Sequence, residues 1–168
     1  DIGFIETLIV DLQEQLSIDP DRIYVTGFST GGMFSYALAC FSNEPIAGVA
    51  AVSAAQLNLV DCAPSPMNVF IAHGTADDIL PYYGSSDIAS IDEVVSFWTN
   101  VNHTSTVAQE SSYALAKEKV YQYIYSDGIN NSQVMHYKVE NGSHGWFDHE
   151  IEGQSFTSLL WNFLTSQQ

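Results

Sequence analysis

Apolar side chains recur along this chain in two rhythms, and the two alternate. Ile2, Ile5, Leu8, Ile9, Leu12 and Leu16 fall on one face at helical spacing, which predicts a helix over residues 2–16. Asp19-Pro20-Asp21 breaks it. Arg22–Thr26 then reads as a short buried strand, and Gly27–Gly32 as a tight turn. Residues 30–41 predict a second helix, packed through Met33, Phe34, Ala37, Leu38 and Phe41.

Two further apolar runs, Val49–Ser53 and Asn68–Ala72, are continuous rather than alternating, as in parallel strands buried on both faces. Residues 91–102 predict a helix with Val94, Val95 and Trp98 as its apolar stripe. Ser90 and Glu93 fit a capping box at its start. Val120–Tyr125 and Gln133–Glu140 read as strands joined by Ser126–Asn131. A last helix over roughly 154–165 turns Phe156, Leu159, Leu160, Phe163 and Leu164 inward. No repeat, linker or low-complexity stretch interrupts the series. The expectation is one α/β domain over residues 1–168 with a mainly parallel sheet and flanking helices.

Composition narrows the partners. The chain is 46% hydrophobic and 12% aromatic, which argues for a packed core despite a formal net charge of −16. Four Lys plus Arg stand against 20 Asp plus Glu, so a nucleic-acid partner is excluded for want of phosphate-binding cations. No run of about 18 apolar residues is present to span a bilayer. Cys40 and Cys62 make no metal pattern, and neither a metal nor a cofactor is expected. The two thiols read equally as a disulfide or as ordinary buried cysteines.

The chemistry concentrates in three segments. Gly27-Phe28-Ser29-Thr30-Gly31 matches Gly-x-Ser-x-Gly, and it follows a predicted strand and opens a predicted helix. That is the context of a nucleophile elbow, whose strained turn leaves no room for neighbouring side chains. Glycines at 27 and 31 allow the close approach, and Gly32 relaxes it further. The helix N-terminus beneath Ser29 offers free N–H groups and a positive dipole end to a developing oxyanion.

A serine hydroxyl needs a base, and the base needs a carboxylate to hold its tautomer. In this fold the chain order is Ser, acid, His. His73-Gly74-Thr75-Ala76-Asp77-Asp78 follows the third apolar strand, which puts a carboxylate on the rim that bears the elbow. Asp77 is the chosen acid, with Asp78 as the alternative. Of five histidines, His73 precedes the acid, His136 lies in a strand and His103 ends a helix. His144 sits in a loop after the last long strand, where a base must hang; His149 is the runner-up.

These segments together resemble the polyhydroxybutyrate depolymerase-like esterases, a family that includes feruloyl and acetylxylan esterases. The resemblance runs over nearly the whole chain. It rests on Asp1–Ile5, Asp19–Gly27, Ser29-Thr30-Gly31-Gly32-Met33, His73–Asp77 with Pro81-Tyr82, and Gly142-Ser143-His144-Gly145-Trp146. It implies an α/β-hydrolase fold with Ser29, Asp77 and His144 as a catalytic triad. It also implies a Cys40–Cys62 disulfide and a secreted or periplasmic setting. The chain departs from the family's pattern at Asn141 and at Asp78, neither a triad position. It also starts after the strands that open the family's fold, and those strands carry one of two oxyanion donors. The donor from the Thr30 backbone N–H remains.

The expected activity is serine carboxylic-ester hydrolysis through an acyl-enzyme, on short-chain, feruloyl, acetyl or polyhydroxyalkanoate-type esters. Tyr82 and Trp146 are candidate substrate contacts. The alternative is a weakly active or non-catalytic half-domain that needs a partner. Its first strand would sit at an uncovered sheet edge and invite a second copy of the chain.

Overall fold

The computed structural model describes residues 1–57, 59–115 and 118–166. Helix α1 (Ile2–Gln15) forms where the helical spacing predicts it. Asp19 then accepts a hydrogen bond from Asp21 N at 3.0 Å, and Pro20–Arg22 coil into a 3-10 turn. That turn takes residues expected to open the first strand, so β1 runs Tyr24–Phe28, two residues later than predicted. There follow α2 (Thr30–Phe41), β2 (Gly48–Val52), β3 (Asn68–Gly74), α3 (Ile91–Asn102), β4 (Gln109–Ala114), β5 (Lys119–Tyr125) and β6 (Val134–Glu140). The chain ends with the short strands β7 (Glu150–Ile151) and β8 (Gln154–Ser155) and helix α4 (Phe156–Thr165). Gln154 and Ser155 pair in that hairpin, and the Ser155 side chain caps Ser158 N at 3.2 Å, so α4 starts at Phe156.

The main sheet has the order β1-β2-β3-β6-β5-β4. β1, β2, β3 and β6 are parallel, while β5 runs antiparallel to β6 and β4 to β5. The β5–β6 connection is short, and short connections close only antiparallel pairs. β4 escaped the pattern because its sequence, Gln-Glu-Ser-Ser-Tyr-Ala, offers no apolar alternation, and only Tyr113 is partly buried.

β2 and β3 are buried along their full length, which is why their apolar runs are continuous. Alternate residues serve opposite faces. Val49, Ala51, Val69 and Ile71 pack with Tyr36 and Trp98 on the α2–α3 side. Ala50, Val52, Phe70 and Ala72 pack with Phe156 and Phe163 of α4 on the other. The capping box of α3 is formed: Ser90 accepts from Glu93 N, and Glu93 accepts from Ser90 N. Asn102, at the far end of α3, holds the start of β3 by accepting from Met67 N (3.1 Å) and donating to Met67 O (2.7 Å).

Cys40 and Cys62 are joined in a disulfide that ties the end of α2 to the loop before β3. Gln56 braces it, donating toward both sulfurs while accepting from Trp98 Nε1 at 2.7 Å. α1 buries none of its residues; Phe4 is 70% exposed and Leu8 41%. Among the described residues no helix is long and apolar enough to cross a membrane.

Candidate active site

The turn from β1 into α2 holds Ser29 at φ 53°, ψ −122°, a backbone conformation a β-substituted residue adopts only under constraint. The constraint is visible. Ser29 N donates to Val52 O (2.9 Å), and Met33 N donates to Ser29 O (3.0 Å). A Cβ on Gly27 would overlap the Gly31 carbonyl and stand 2.6 Å from Gly32 N. A Cβ on Gly32 would stand 2.6 Å from that of Ala54. A Cβ on Gly31 would meet nothing within 4 Å. The close approach therefore belongs to Gly27 and Gly32, not to Gly27 and Gly31 as the motif suggests. The Met33–Ser29 bond is the first of the helix, so the N–H of Thr30 lies in the turn that lacks intrahelical partners.

Two loops bring the other groups to this rim. Thr75 N donates to Val139 O (2.9 Å), Ala76 N to Gly142 O (2.9 Å) and Asn141 N to Thr75 Oγ1 (2.8 Å). These bonds join the loop after β3 to the loop after β6. Ser53, just past β2, donates from its hydroxyl to Gly145 O at 2.9 Å and so ties down the histidine loop.

The result is a line of three side chains. His144 Nε2 is 2.9 Å from Ser29 Oγ, and His144 Nδ1 is 2.8 Å from Asp77 Oδ2. A carboxylate only accepts, so Nδ1 carries the proton and Nε2 is left to accept from the serine hydroxyl. The Phe28 ring packs 5.0 Å from the His144 ring and limits its tilt. Asp77 Oδ1 accepts from Ile79 N (2.9 Å) and Leu80 N (2.8 Å). Burial alone would raise the Asp77 pKa. The bonds from Leu80 N, His144 and Ile79 N outweigh it and hold the carboxyl below its usual range. The arrangement can abstract the serine proton, deliver the alkoxide to an electrophile and stabilise the imidazolium that forms.

The competing residues are placed elsewhere. His149 pairs with Glu118 at 2.7 Å. His136 is buried in β6, within 3.3 Å of the Tyr82 hydroxyl, and His103 caps α3. Tyr82, a candidate substrate contact, is 1% exposed and donates to Asp92 at 3.0 Å, so the fold uses it as core. Trp146, two residues past His144, donates to Thr157 at 3.3 Å and packs edge-on against Phe156, anchoring its loop to α4. Ser53 and Phe28 carry no signal in the sequence that would give them these places. A cavity of about 430 Å³ is lined by Pro20, Tyr24, Asn68 and Leu164. It lies at the end of the sheet opposite Ser29.

The chain matches the model of the phospholipase/carboxylesterase family over residues 2–125. It is 34% identical over 80 residues to feruloyl esterase D of Neurospora crassa, covering 48% of this chain and 28% of that one. It is 31% identical over 90 residues to feruloyl esterase C of Emericella nidulans, 54% of this chain and 33% of that one. A bifunctional acetylxylan esterase/xylanase of Neocallimastix patriciarum is 36% identical over 83 residues, 49% of this chain and 12% of that one. The matched regions thus span a third or less of these relatives. The crystal structure of esterase PE8 superposes with a TM-score of 0.61 at 15% identity, covering 96% of this chain and 60% of that one. That likeness concerns the fold: an α/β-hydrolase sheet with its helices. With the fold, the elbow and the family match in agreement, this chain belongs to the phospholipase/carboxylesterase family of α/β-hydrolases.

Proposed function

We propose that this chain is the catalytic portion of a serine carboxylic-ester hydrolase that works through an acyl-enzyme. The observation that carries the reading is the unbroken line from Ser29 Oγ through His144 to Asp77, at 2.9 and 2.8 Å. Ser29 attacks the ester carbonyl while His144 Nε2 takes its proton. The tetrahedral oxyanion is met by the Thr30 N–H at the positive end of α2. His144 returns the proton to the leaving alcohol, then activates the water that hydrolyses the acyl-enzyme. Asp77 holds the imidazole and offsets its charge throughout.

Acetyl and feruloyl esters are the proposed substrates, in keeping with the names of the relatives. Secretion is the proposed setting, supported by the Cys40–Cys62 bond. Hydrolysis of nitrophenyl acyl esters, methyl ferulate and acetylated xylan tests the reading, with Ser29→Ala as control. Turnover of at least one ester class, lost in Ser29→Ala, is expected; turnover undiminished in Ser29→Ala contradicts it.

One observation favours a second, partner-requiring reading. Among the described strands β1 sits at the edge of the sheet with its Phe28 exposed, and α1 presents Phe4 and Leu8 to solvent. A second copy of the chain laid along that edge would cover Phe28 and pair the free side of β1. Light scattering at micromolar concentration tests it: a dimer supports it, and a fully active monomer contradicts it.

A further inference from the structure

Asp77 has more partners than the proposed mechanism uses. Its Oδ2 receives His144 Nδ1 at 2.8 Å, and the same oxygen lies 3.1 Å from Nε2 of a second histidine, His73. His73 Nε2 is also 2.7 Å from Leu80 O. Both groups facing Nε2 are acceptors, so that nitrogen must carry the proton. One N–H is thus shared between the loop carbonyl and the carboxylate. The Asp77 side chain is fully buried, and no solvent can replace a missing donor.

With His73 counted, the carboxylate is complete. Oδ1 takes Ile79 N and Leu80 N; Oδ2 takes His144 and His73. A carboxylate offers about four acceptor sites, and all are filled. The bond to Leu80 O closes a ring, because Leu80 N in turn donates to Asp77. The titratable groups around His73 are Asp77, His144, Tyr82 and His136. Burial keeps His73 below the usual histidine range and therefore neutral at neutral pH.

We infer that His73 is a positioning residue for the acid of the triad, its neutral Nε2–H fixing the rotation of the Asp77 carboxylate and tempering its basicity toward His144. The inference rests on the proposed triad, and it has two consequences. Loss of the donor frees the carboxylate to turn, and a misplacement on the order of 1 Å costs about 10²-fold in turnover. The remaining His144–Asp77 bond also becomes stronger, which favours the imidazolium and moves the acidic limb of kcat/KM to higher pH.

The test compares His73→Gln, whose side-chain N–H reaches the Nε2 position, with His73→Leu, which fills space without a donor. Initial rates on 4-nitrophenyl acetate are followed from pH 4.5 to 9, beside circular dichroism. His73→Gln is expected to retain most of kcat and the original acidic limb. Folded His73→Leu is expected to lose 10- to 100-fold in kcat with KM little changed, and its limb to move upward. Wild-type kcat and limb in folded His73→Leu would overturn the proposal, as would equal loss with an unmoved limb in both variants. Nitrogen-15 NMR of the unmutated protein decides it even where His73→Leu does not fold or no ester is turned over. A neutral Nε2–H tautomer for His73 through neutral pH is expected; an Nδ1–H tautomer or a charged ring overturns it.

Discussion

Gly74 and Gly142 touch backbone to backbone. A Cβ on Gly74 would fall inside the Gly142 carbonyl, and a Cβ on Gly142 would stand 3.2 Å from Gly74 Cα and 2.7 Å from Val139 Cγ1. The contact seats the acid loop on the histidine loop, so the spacing of Asp77 and His144 depends on two absent side chains. Gly74→Ala is expected to force the loops apart, with an overpacking cost of about 1–3 kcal/mol. Because these loops carry Asp77 and His144, the proposed acid and base, kcat should fall further than the melting temperature suggests. Paired thermal melts and ester kinetics check this.

The elbow glycines should separate in the same assay. Gly31→Ala meets open space inside α2 and is expected to leave the melting temperature unchanged or slightly raised, since alanine is the better helix former by about 1 kcal/mol. Gly27→Ala collides with the backbone of residues 31 and 32 and is expected to destabilise by several times that amount or to prevent folding. Equal melting temperatures for the two variants would contradict the packing described.

Much of this was legible beforehand, and the gaps have causes. α3, β2, β3 and β6 follow from apolar periodicity because each is buried in the way its pattern implies. α2 forms where expected but buries Gly32, Ser35, Tyr36, Leu38 and Ala39 and leaves Phe41 40% exposed, so of the five side chains expected to pack only Leu38 is buried. β4 was hidden because an exposed edge strand needs no apolar face. The strand–turn–helix around Ser29 was readable from Gly-x-Ser-x-Gly, and the order Ser, Asp, His singled out Asp77 and His144, the proposed acid and base, whose side chains lie 2.8 Å apart. Which glycine makes the close approach was not readable, since it depends on where Ala54 lies. Nor was the second partner of Asp77. His73 precedes the acid in the chain, the wrong order for the base, and only its side-chain geometry gives it a place beside the carboxylate.

The disulfide should contribute measurably. Its cysteines are 22 residues apart, for which loop-closure entropy gives about 3 kcal/mol. Reduction, or Cys40→Ala with Cys62→Ala, is expected to lower the urea midpoint accordingly and to steepen the slope, since the unfolded chain freed of its crosslink exposes more surface. Thiol titration of the native protein checks the bond itself, and no free thiol is expected.

Acid should weaken the fold well above the carboxylate range. Burial lowers the His136 pKa to about 3 and holds His73 below its usual range. In the unfolded chain both take up protons near pH 6.5. The unfolded state then binds more protons, so stability is complete above about pH 6.5 and is lost as pH falls toward the folded values. His136 adds a slope of about 1 kcal/mol per pH unit in that window, and His73 acts in the same direction. Asp77, lowered by its hydrogen bonds against the opposing effect of burial, adds a further loss below about pH 4. Urea titrations at pH 7, 6, 5 and 4 should show the decline, and His136→Gln should make it shallower.

The proposal that Ser29 is the nucleophile is tested most directly by covalent labelling. The folded protein is treated with a fluorophosphonate, digested, and the adduct mapped by mass spectrometry, with His144→Ala alongside. One adduct is expected, on Ser29, forming about 10⁴-fold more slowly when His144 is replaced. An adduct on any other serine, or labelling of Ser29 at the same rate without His144, would contradict it.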